Sequence, residues 1–227
     1  MEPIELVVAR YREPVRWTRN VPPGLRVTIY DKGADLDAAG MSHASVVLLP
    51  NYGFEAHSYL AHILAHWESL SELTVFCQGH PFDHAHDLHH VLRALADGSE
   101  VVADFRWLGF IIDTDDVRGR RLFVPWSKNR DGRELDLDGF HRRLFGEPAP
   151  EWLRFHPGGQ FAVRRERIRS RPREFWERAL ELSLEFPDAG HCFERLWDRV
   201  FGVLGVDSAL LGGERTRYLK PLRKMPA

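Results

Sequence analysis

Histidines are concentrated in one short segment of this sequence. Eight of the twelve fall within residues 57–90, and five of those lie within residues 80–90, together with two aspartates. Imidazole and carboxylate groups are good ligands for first-row divalent metals. The segment directly follows a predicted strand, which would place it at the carboxyl edge of a parallel sheet, where ligands gather. The pattern predicts a metal site formed by His80, Asp83 and His84.

A helix beginning near Asp83 gives a second interpretation of the same residues. Spacings of three and four residues would then place four side chains on one helix face: Asp83, His86, Asp87 and His90. The alternative to a metal or substrate role is that Asp83 caps this helix, Asp87 complements the helix dipole, and His86, His89 and His90 are solvated.

A pair of carboxylates ends an apolar run further along the chain. Asp113 and Asp115 follow Phe110-Ile111-Ile112, with one residue between them. Many nucleotide-sugar transferases hold a divalent cation through such an Asp-x-Asp, because two carboxylates neutralise the metal that bridges the diphosphate. We expect manganese or magnesium if carboxylates hold the metal, and zinc if the histidine segment does. A simple polar turn is the alternative.

A strand-to-helix turn at residues 49–55 carries another set of polar groups. Asn51 could cap the helix, and the free backbone amides of the first turn would bind an anion or another ligand. Glu55 lies in that first turn. Because successive parallel strands lie close together in a sheet, we expect Asn51 and Glu55 on the far wall of one cleft. The near wall of the cleft would carry Gln78, His80, Asp83 and His84.

The last predicted helix contains an acidic residue within an apolar pattern. Its apolar positions cover most of the circumference: Phe193, Leu196, Trp197, Val200 and Phe201. Glu194 therefore has little access to solvent, and a buried carboxylate must be paired or neutralised. Arg195 points about 100° away on a helix, so we expect the partner to be Arg10 or an arginine of residues 164–173. Glu194 then forms a structural ion pair, or it is a cleft carboxylate with an acid–base role.

Alternating strands and helices position these groups in the first half of the chain. Apolar runs predict strands near residues 4–9, 26–30, 46–49, 73–77, 107–112 and 160–163. Helical spacing predicts helices near residues 54–68, 83–95, 137–145, 172–185 and 191–204. This order is typical of an α/β fold with a mostly parallel sheet flanked by helices. Residues 115–150 and the basic tail from residue 214 are expected to be largely irregular.

The composition is that of an ordinary globular protein. Of the 227 residues, 44% are apolar and 28% are charged, which excludes a disordered or fibrous chain. The formal net charge of −2 gives no electrostatic case for binding nucleic acid or an anionic membrane. No apolar run reaches the ~18 residues of a membrane span. Two isolated cysteines exclude a disulfide framework and a cysteine-rich zinc site, and we expect a cytoplasmic, single-domain protein.

Several motifs, taken in order, resemble an uncharacterised protein family. The matching stretches are Glu5-Leu6-Val7-Val8-Ala9-Arg10-Tyr11, Tyr30-Asp31-Lys32-Gly33, Leu49-Pro50-Asn51-x-Gly53-x-Glu55, Tyr59-Leu60-x-His62-Ile63, Thr74-Val75-Phe76-x-Gln78-Gly79-x-Pro81, Gly159-Gln160-Phe161-Ala162-Val163 and Phe193-Glu194-Arg195-Leu196-Trp197. In this order they are similar to the domain-of-unknown-function family 3431, found in bacteria and fungi. They span nearly the whole chain, and none of them is specific alone.

The resemblance implies a reduced glycosyltransferase of the GT-A type. Its layout would comprise a nucleotide-binding α/β half, residues 1–113, and an acceptor-side half with the C-terminal helices, residues 114–227. The implied substrate-binding positions are Arg10, Asp31, Lys32, Asn51, Gln78, Gly79, Gln160 and Arg195. Gln78-Gly79-His80 would occupy the place of the metal-binding Asp-x-Asp, and Glu194 or Glu55 would act as a base.

Several functions remain open from the sequence. One is a transferase that uses a nucleotide-activated sugar and a small-molecule or glycan acceptor. Another is a metal-binding hydrolase or oxidase centred on residues 80–90, and a third is a GT-A-like fold without transferase activity. The chain lacks Walker, Gly-x-Gly-x-x-Gly and Gly-x-Ser-x-Gly motifs, which excludes the commonest nucleotide-binding and hydrolase signatures.

Overall fold

The computed structural model describes residues 3–120, 134–203 and 205–219. Its strands are β1 (Ile4–Arg10), β2 (Arg26–Asp31), β3 (Ser45–Leu48), β4 (Leu73–Gln78), β5 (Phe105–Trp107), β6 (Ile111–Asp116), β7 (Trp152–Phe155), β8 (Phe161–Arg164) and β9 (Thr216–Tyr218). Its α-helices are α1 (Phe54–Ala65), α2 (Leu88–Asp97), α3 (Leu137–Phe145), α4 (Arg165–Arg169), α5 (Arg173–Glu185) and α6 (Ala189–Val200).

The main sheet is mixed but largely parallel. Within the described residues it has six strands in the order β3-β2-β1-β4-β8-β5. Strands β1 to β4 are mutually parallel, and β8 enters between β4 and β5, antiparallel to both. A second sheet, β7-β6-β9, is antiparallel. The predicted α/β fold, a mostly parallel sheet flanked by helices, is confirmed. The predicted division into halves at residue 113 stays a prediction, although β8 comes from the second half.

Each face of the main sheet covers its own hydrophobic core. Val7 and Phe76 belong to the core formed with α1, α5 and α6, while Val8 and Val75 belong to the core formed with α2. Alternate residues of a strand face opposite sides, so a central strand covered on both faces is apolar along most of its length. This is why the runs in β1 and β4 could be recognised from the sequence.

The strand predicted over residues 107–112 is wrong in its extent, because two short strands in different sheets take its place. Trp107 pairs with Phe161 of β8, and the chain then leaves the main sheet. At Gly109 an added Cβ would lie 3.0 Å from the Cβ of His156, so a residue without a side chain permits this close approach. Hydrophobic patterning alone does not reveal such a change of sheet, since both pieces are apolar.

Helix α2 begins later than the sequence predicted. The segment Pro81–Asp83 forms a short 3-10 helix, and the α-helix starts only at Leu88, with Asp87 at its N-cap. The intervening residues 84–87 are not helical. The prediction of a shared helix face is therefore wrong for its four members: Asp83, His86, Asp87 and His90.

The C-terminal part of the chain is more regular than predicted. Strand β9 pairs with β6 within the tail that was expected to be irregular. Residues 121–133 and 220–227, which belong to the stretches predicted to be irregular, lie outside the described residues. In the described ranges, no helix combines the length and the apolar character needed to cross a membrane.

Candidate functional site

The strand order creates a topological switch point between β1 and β4. From β1 the chain adds β2 and β3 on one side, and then returns to place β4 on the other side. In open α/β sheets, ligands bind in the crevice outside the carboxyl ends of the two strands at such a point. These ends carry Arg10 on β1 and Gln78 on β4, two of the predicted substrate-binding residues. This crevice is the candidate site.

Glu55 lies in the first turn of α1, beside the crevice. The turn into α1 has left-handed backbone at Gly53, with φ of 58°. This turn packs so closely on α5 that an added Cβ would lie 2.4 Å from the carbonyl oxygen of Ser183. Burial and the nearby Glu194 carboxylate raise the pKa of Glu55 to about 7. A carboxyl group that is half-protonated near neutral pH can accept or donate a proton.

Three groups limit the rise in the pKa of Glu55. The backbone amide of Glu55 itself, the charge of Lys32 and the side chain of Gln78 all lower this pKa. The Lys32 ammonium also donates to the carbonyls of Tyr52 and Phe54, which ties the end of β2 to the turn before α1. Burial lowers the pKa of Lys32 to about 8, and the attraction of Glu55 opposes that shift. The predicted residues Lys32, Gln78 and Glu55 thus share one polar cluster.

Glu194 on α6 adds a second carboxylate to this cluster. It accepts from the backbone amide of Gly158 at 2.6 Å and from the Arg195 guanidinium at 3.1 Å. Arg195 also bonds to Asp115 of β6 at 2.8 Å, and both of these side chains are buried. The expectation that the partner of Glu194 would come from Arg10 or residues 164–173 is wrong. Arg195 reaches Asp115 because β7, which pairs with β6, packs against α6 and places the Phe155 ring 4.8 Å below the Arg195 guanidinium.

A loop of two glycines before β8 lies between the two glutamates. Gly158 and Gly159 have φ values of 92° and 57°. A Cβ on Gly159 would lie 3.4 Å from Oε1 of Glu55 and 3.3 Å from Nε1 of Trp197, and one on Gly158 would lie 2.6 Å from the His84 ring. Within the described chain, Nε1 of Trp197 and Nδ1 of His84 are buried without a hydrogen-bond partner. Buried groups of this kind are candidates for contact with a ligand.

Trp197 and the two glycines were not expected from the sequence to be site residues. Trp197 was assigned to the apolar face of its helix, and its ring does belong to the core. The adjacent glycines before a predicted strand were the available signal, because paired glycines often mark a close backbone approach.

Arg10 and Asp31 bind each other at the carboxyl ends of β1 and β2. The Arg10 guanidinium donates to Asp31 at 2.5 Å and to Asp35 at 2.7 Å, and Arg10 is only 6% exposed. These contacts hold the loops after both strands together. Beside them lies an open cavity of about 250 Å³. Its polar lining includes Arg10, Glu13, Arg16, Arg19 and Asp37.

The histidine segment does not gather at one point. His84 lies against the glycine loop, whereas His80 and Asp83 form an exposed pair 3.5 Å apart. Phe82 packs on Trp17 with a ring distance of 5.4 Å, on the α2 side of the sheet. Among the described residues, no group of three or more His, Cys, Asp or Glu side chains is arranged to hold a metal ion. The metal site at His80, Asp83 and His84 stays a prediction.

The Asp-x-Asp of β6 makes contacts within the small sheet and with α6. Asp115 binds Arg195, as described above, and is fully buried. Asp113 accepts a hydrogen bond from the Thr216 hydroxyl of β9 at 2.7 Å. Both carboxylates therefore have structural partners, and their assignment as metal ligands also stays a prediction.

Three other predicted substrate-binding residues lie around the crevice loops. The buried Gln160 amide donates to the carbonyl of Pro81 at 3.0 Å, and the carbonyl of Gly79 accepts from the Trp17 indole at 2.8 Å. Asn51 is exposed and does not cap α1, since Gly53 is the N-cap and no side-chain cap bond forms. The proposed capping role of Asn51 is therefore wrong.

The sequence model of one protein family matches most of the chain. This family is described as "Protein of unknown function (DUF3431)", and the match covers residues 6–209. The chain belongs to this family. The resemblance inferred from the ordered motifs is thereby confirmed. No curated protein matches this DUF3431 chain.

Two solved structures are similar to this DUF3431 protein. CMP:2-keto-3-deoxy-manno-octonic acid synthetase complexed with CTP is 11% identical with a TM-score of 0.37, and the match covers 95% of this chain and 97% of that chain. The 4-diphosphocytidyl-2C-methyl-D-erythritol synthase from Anaerococcus prevotii is 14% identical with a TM-score of 0.39, and the match covers 90% of this chain and 86% of that chain.

Proposed function

We propose that this DUF3431 protein is a transferase that moves a sugar from a nucleotide-activated donor to a hydroxyl group, with Glu55 as the base. The observation that carries the proposal is the Glu55 carboxyl group at the switch point, opposite Glu194 and with its pKa raised to about 7. A base whose pKa lies near the working pH combines a large ionised fraction with adequate affinity for the proton. Perturbed carboxyl groups in a ligand crevice are a common feature of functional sites.

The cavity at the ends of β1 and β2 supports binding of the donor in this proposal. It measures about 250 Å³, enough for the base of a nucleotide, and opens beside the switch point. Arg16 and Arg19 place guanidinium groups in its lining beside Glu13 and Asp37, whereas Arg10 is already paired with Asp31 and Asp35. Guanidinium groups suit the diphosphate of the donor, because their N–H groups match phosphate oxygens in pairs.

In the proposed step the Glu55 carboxylate takes the proton of the acceptor hydroxyl. The acceptor oxygen forms a bond to the anomeric carbon, the bond from that carbon to the diphosphate oxygen breaks, and its electron pair leaves with the nucleoside diphosphate. Lys32 and Gln78 stabilise the ionised form of Glu55, and Glu194 raises the affinity of Glu55 for the proton.

A divalent metal stays part of the proposal as a cofactor for the diphosphate of the donor. A histidine–carboxylate pair suits manganese or zinc better than magnesium, which binds mostly through carboxylates and substrate phosphates. The exposed His80 and Asp83 supply two neighbouring groups, and no third His, Cys, Asp or Glu of the described residues joins them. The transfer step above is therefore derived without a metal.

Release of free nucleoside diphosphate tests the proposal. The purified protein is incubated with individual nucleotide sugars and a mixture of glycan acceptors, with and without Mn²⁺. We expect release with at least one donor, at a rate that rises with pH through about 7 because Glu55 must be ionised. The Glu55→Gln variant should lose about 100-fold or more of this rate, while its affinity for the donor, measured by calorimetry, is retained.

The Glu174→Gln variant is the matched control, since Glu174 is exposed on α5. It should keep the rate of the parent protein. Absence of release with every donor, or a full rate in the Glu55→Gln variant, contradicts the proposal.

A further inference from the structure

A second cavity lies beside the small sheet, away from the crevice. It is open to solvent, has a volume of about 280 Å³, and lies between β6, β7 and the segment of residues 208–215. Its lining includes Trp152, Arg154, Ser208, Glu214 and Arg215. The proposed transfer step uses none of these residues.

The pairing of β6 with β7 separates this cavity from Glu194. Directly opposed residues of antiparallel strands share a face, and Thr114 is opposite Arg154 whereas Asp115 is opposite Leu153. Successive residues of a strand alternate between the two faces. Arg154 therefore lies on one face of the small sheet, and the Asp115–Arg195 ion pair lies on the other. The cavity is a separate site.

The cavity brings two arginines and a tryptophan together. Within the described part of the chain, neither Arg154 nor Arg215 forms an ion pair with a carboxylate. The Arg215 guanidinium lies over the Trp152 ring at 5.7 Å, and Trp152 remains 40% exposed. Two like charges beside one cavity repel each other, and a bound anion relieves this repulsion. Arginine also combines bidentate binding of an anion with stacking on an aromatic ring.

We infer that this cavity binds an anionic saccharide, a pyranose unit that carries a carboxylate or a phosphate group. Arg154 and Arg215 bind the anion through charge-assisted hydrogen bonds. The Trp152 ring packs against the C–H groups of the sugar, and the Ser208 hydroxyl bonds to a sugar hydroxyl. Glu214, the acidic residue of the lining, repels the anion and weakens its binding. This inference is independent of the transfer reaction, because it uses no residue of the crevice.

Calorimetry at low ionic strength tests the inference with four probes: glucuronate, glucose 6-phosphate, glucose and inorganic phosphate. We expect an anionic sugar to bind and glucose to show no measurable binding, and the tighter of the two anionic sugars identifies the anion. The Arg154→Gln and Arg215→Gln variants should each weaken this binding by about tenfold. The Glu214→Gln variant should tighten it by about twofold, because a repelling charge is removed.

The Arg93→Gln variant, changed at an exposed arginine of α2, is the control and should keep the affinity of the parent. Circular dichroism checks that each variant is folded. If a change in β7 destabilises the sheet, the Glu214→Gln variant still tests the site.

If inorganic phosphate binds as tightly as the anionic sugars, the assignment to a saccharide is wrong. Failure of both anionic sugars to bind, or unchanged affinity in the arginine variants, overturns the site itself. The anionic sugar should still bind to the Glu55→Gln variant. A failure of the transfer proposal can therefore be distinguished from a failure of the saccharide-binding proposal.

Discussion

At the residue scale, Glu55 makes the stability of this protein depend on pH near neutrality. Burial and the Glu194 carboxylate raise its pKa from the ordinary 4.5 to about 7. Between these two pH values the folded protein holds a proton that the unfolded chain has released. A folded state that binds more protons is favoured at low pH, so this contribution to stability is present below pH 4.5 and is lost as the pH rises through 7.

Replacement of Glu55 by glutamine removes this titration. Glutamine resembles the protonated acid, so we expect the stability of the Glu55→Gln variant to be close to that of the parent at pH 4.5. At pH 8 the variant should be more stable than the parent, by on the order of 2 kcal/mol. Urea unfolding at both pH values measures the difference, with Glu174→Gln as the control. An effect of equal size at both pH values would show that burial does not raise the pKa of Glu55.

At the element scale, the contact of α1 with α5 fixes where Glu55 lies. Gly53 is the N-cap of α1, no side chain caps this helix, and the Gly53 backbone approaches the carbonyl of Ser183. A side chain at this position would push the first turn of α1 away from α5. Because Glu55 belongs to that turn, the packing of the two helices positions the proposed base.

Two glycine variants separate this close approach from backbone strain. Gly53 and Gly98 have φ values of 58° and 77°, so alanine costs about 1 kcal/mol of strain at either position. At Gly98 nothing lies within 4 Å of the added Cβ, whereas at Gly53 the Ser183 carbonyl must move. We expect Gly53→Ala to lose about 2 kcal/mol more than Gly98→Ala in chemical denaturation. Equal losses would contradict the contact as described.

At the scale of the whole molecule, buried histidines make the fold sensitive to acid. Burial lowers the pKa values of His57, His62 and His156 to about 4. In the unfolded chain, imidazole binds a proton below about pH 6.5. The stability that these neutral histidines contribute is therefore fully present above pH 6.5 and is lost as the pH falls toward 4. Glu55 and Asp198 act in the opposite direction, because burial raises their pKa values to about 7 and about 6.

The His156→Gln variant isolates one of these contributions. Nδ1 of His156 lies 2.9 Å from the carbonyl oxygen of Gly109, a hydrogen bond that a glutamine amide can retain. Between pH 7 and pH 4 the parent should lose on the order of 2 kcal/mol more stability than this variant. Thermal unfolding across the range measures the difference, and His90→Gln, at an exposed position of α2, is the control. A variant that loses stability as steeply as the parent refutes the prediction.

The sequence by itself determined the central strands, the family and much of the crevice. Residues 4–10 and 73–78 are nearly continuous apolar runs, which a strand covered on both faces requires. The ordered motifs identified the family that matches residues 6–209. Gln78 directly follows a predicted strand and Glu55 lies in the strand-to-helix turn after another, so the geometry of parallel sheets was enough to expect both at one cleft, whereas Lys32 was selected through the family resemblance.

Only the tertiary structure decided which groups face one another and how they titrate. Glu194 accepts a hydrogen bond from Gly158, and Arg195 donates one to Asp115, because elements that are distant in the chain pack together. The close approach that makes Gly53 the N-cap of α1 likewise depends on α5, so the local signal of Asn51 misled the sequence analysis. The pKa of Glu55 follows from burial and from a second carboxylate, and neither is encoded in the spacing of residues along the chain.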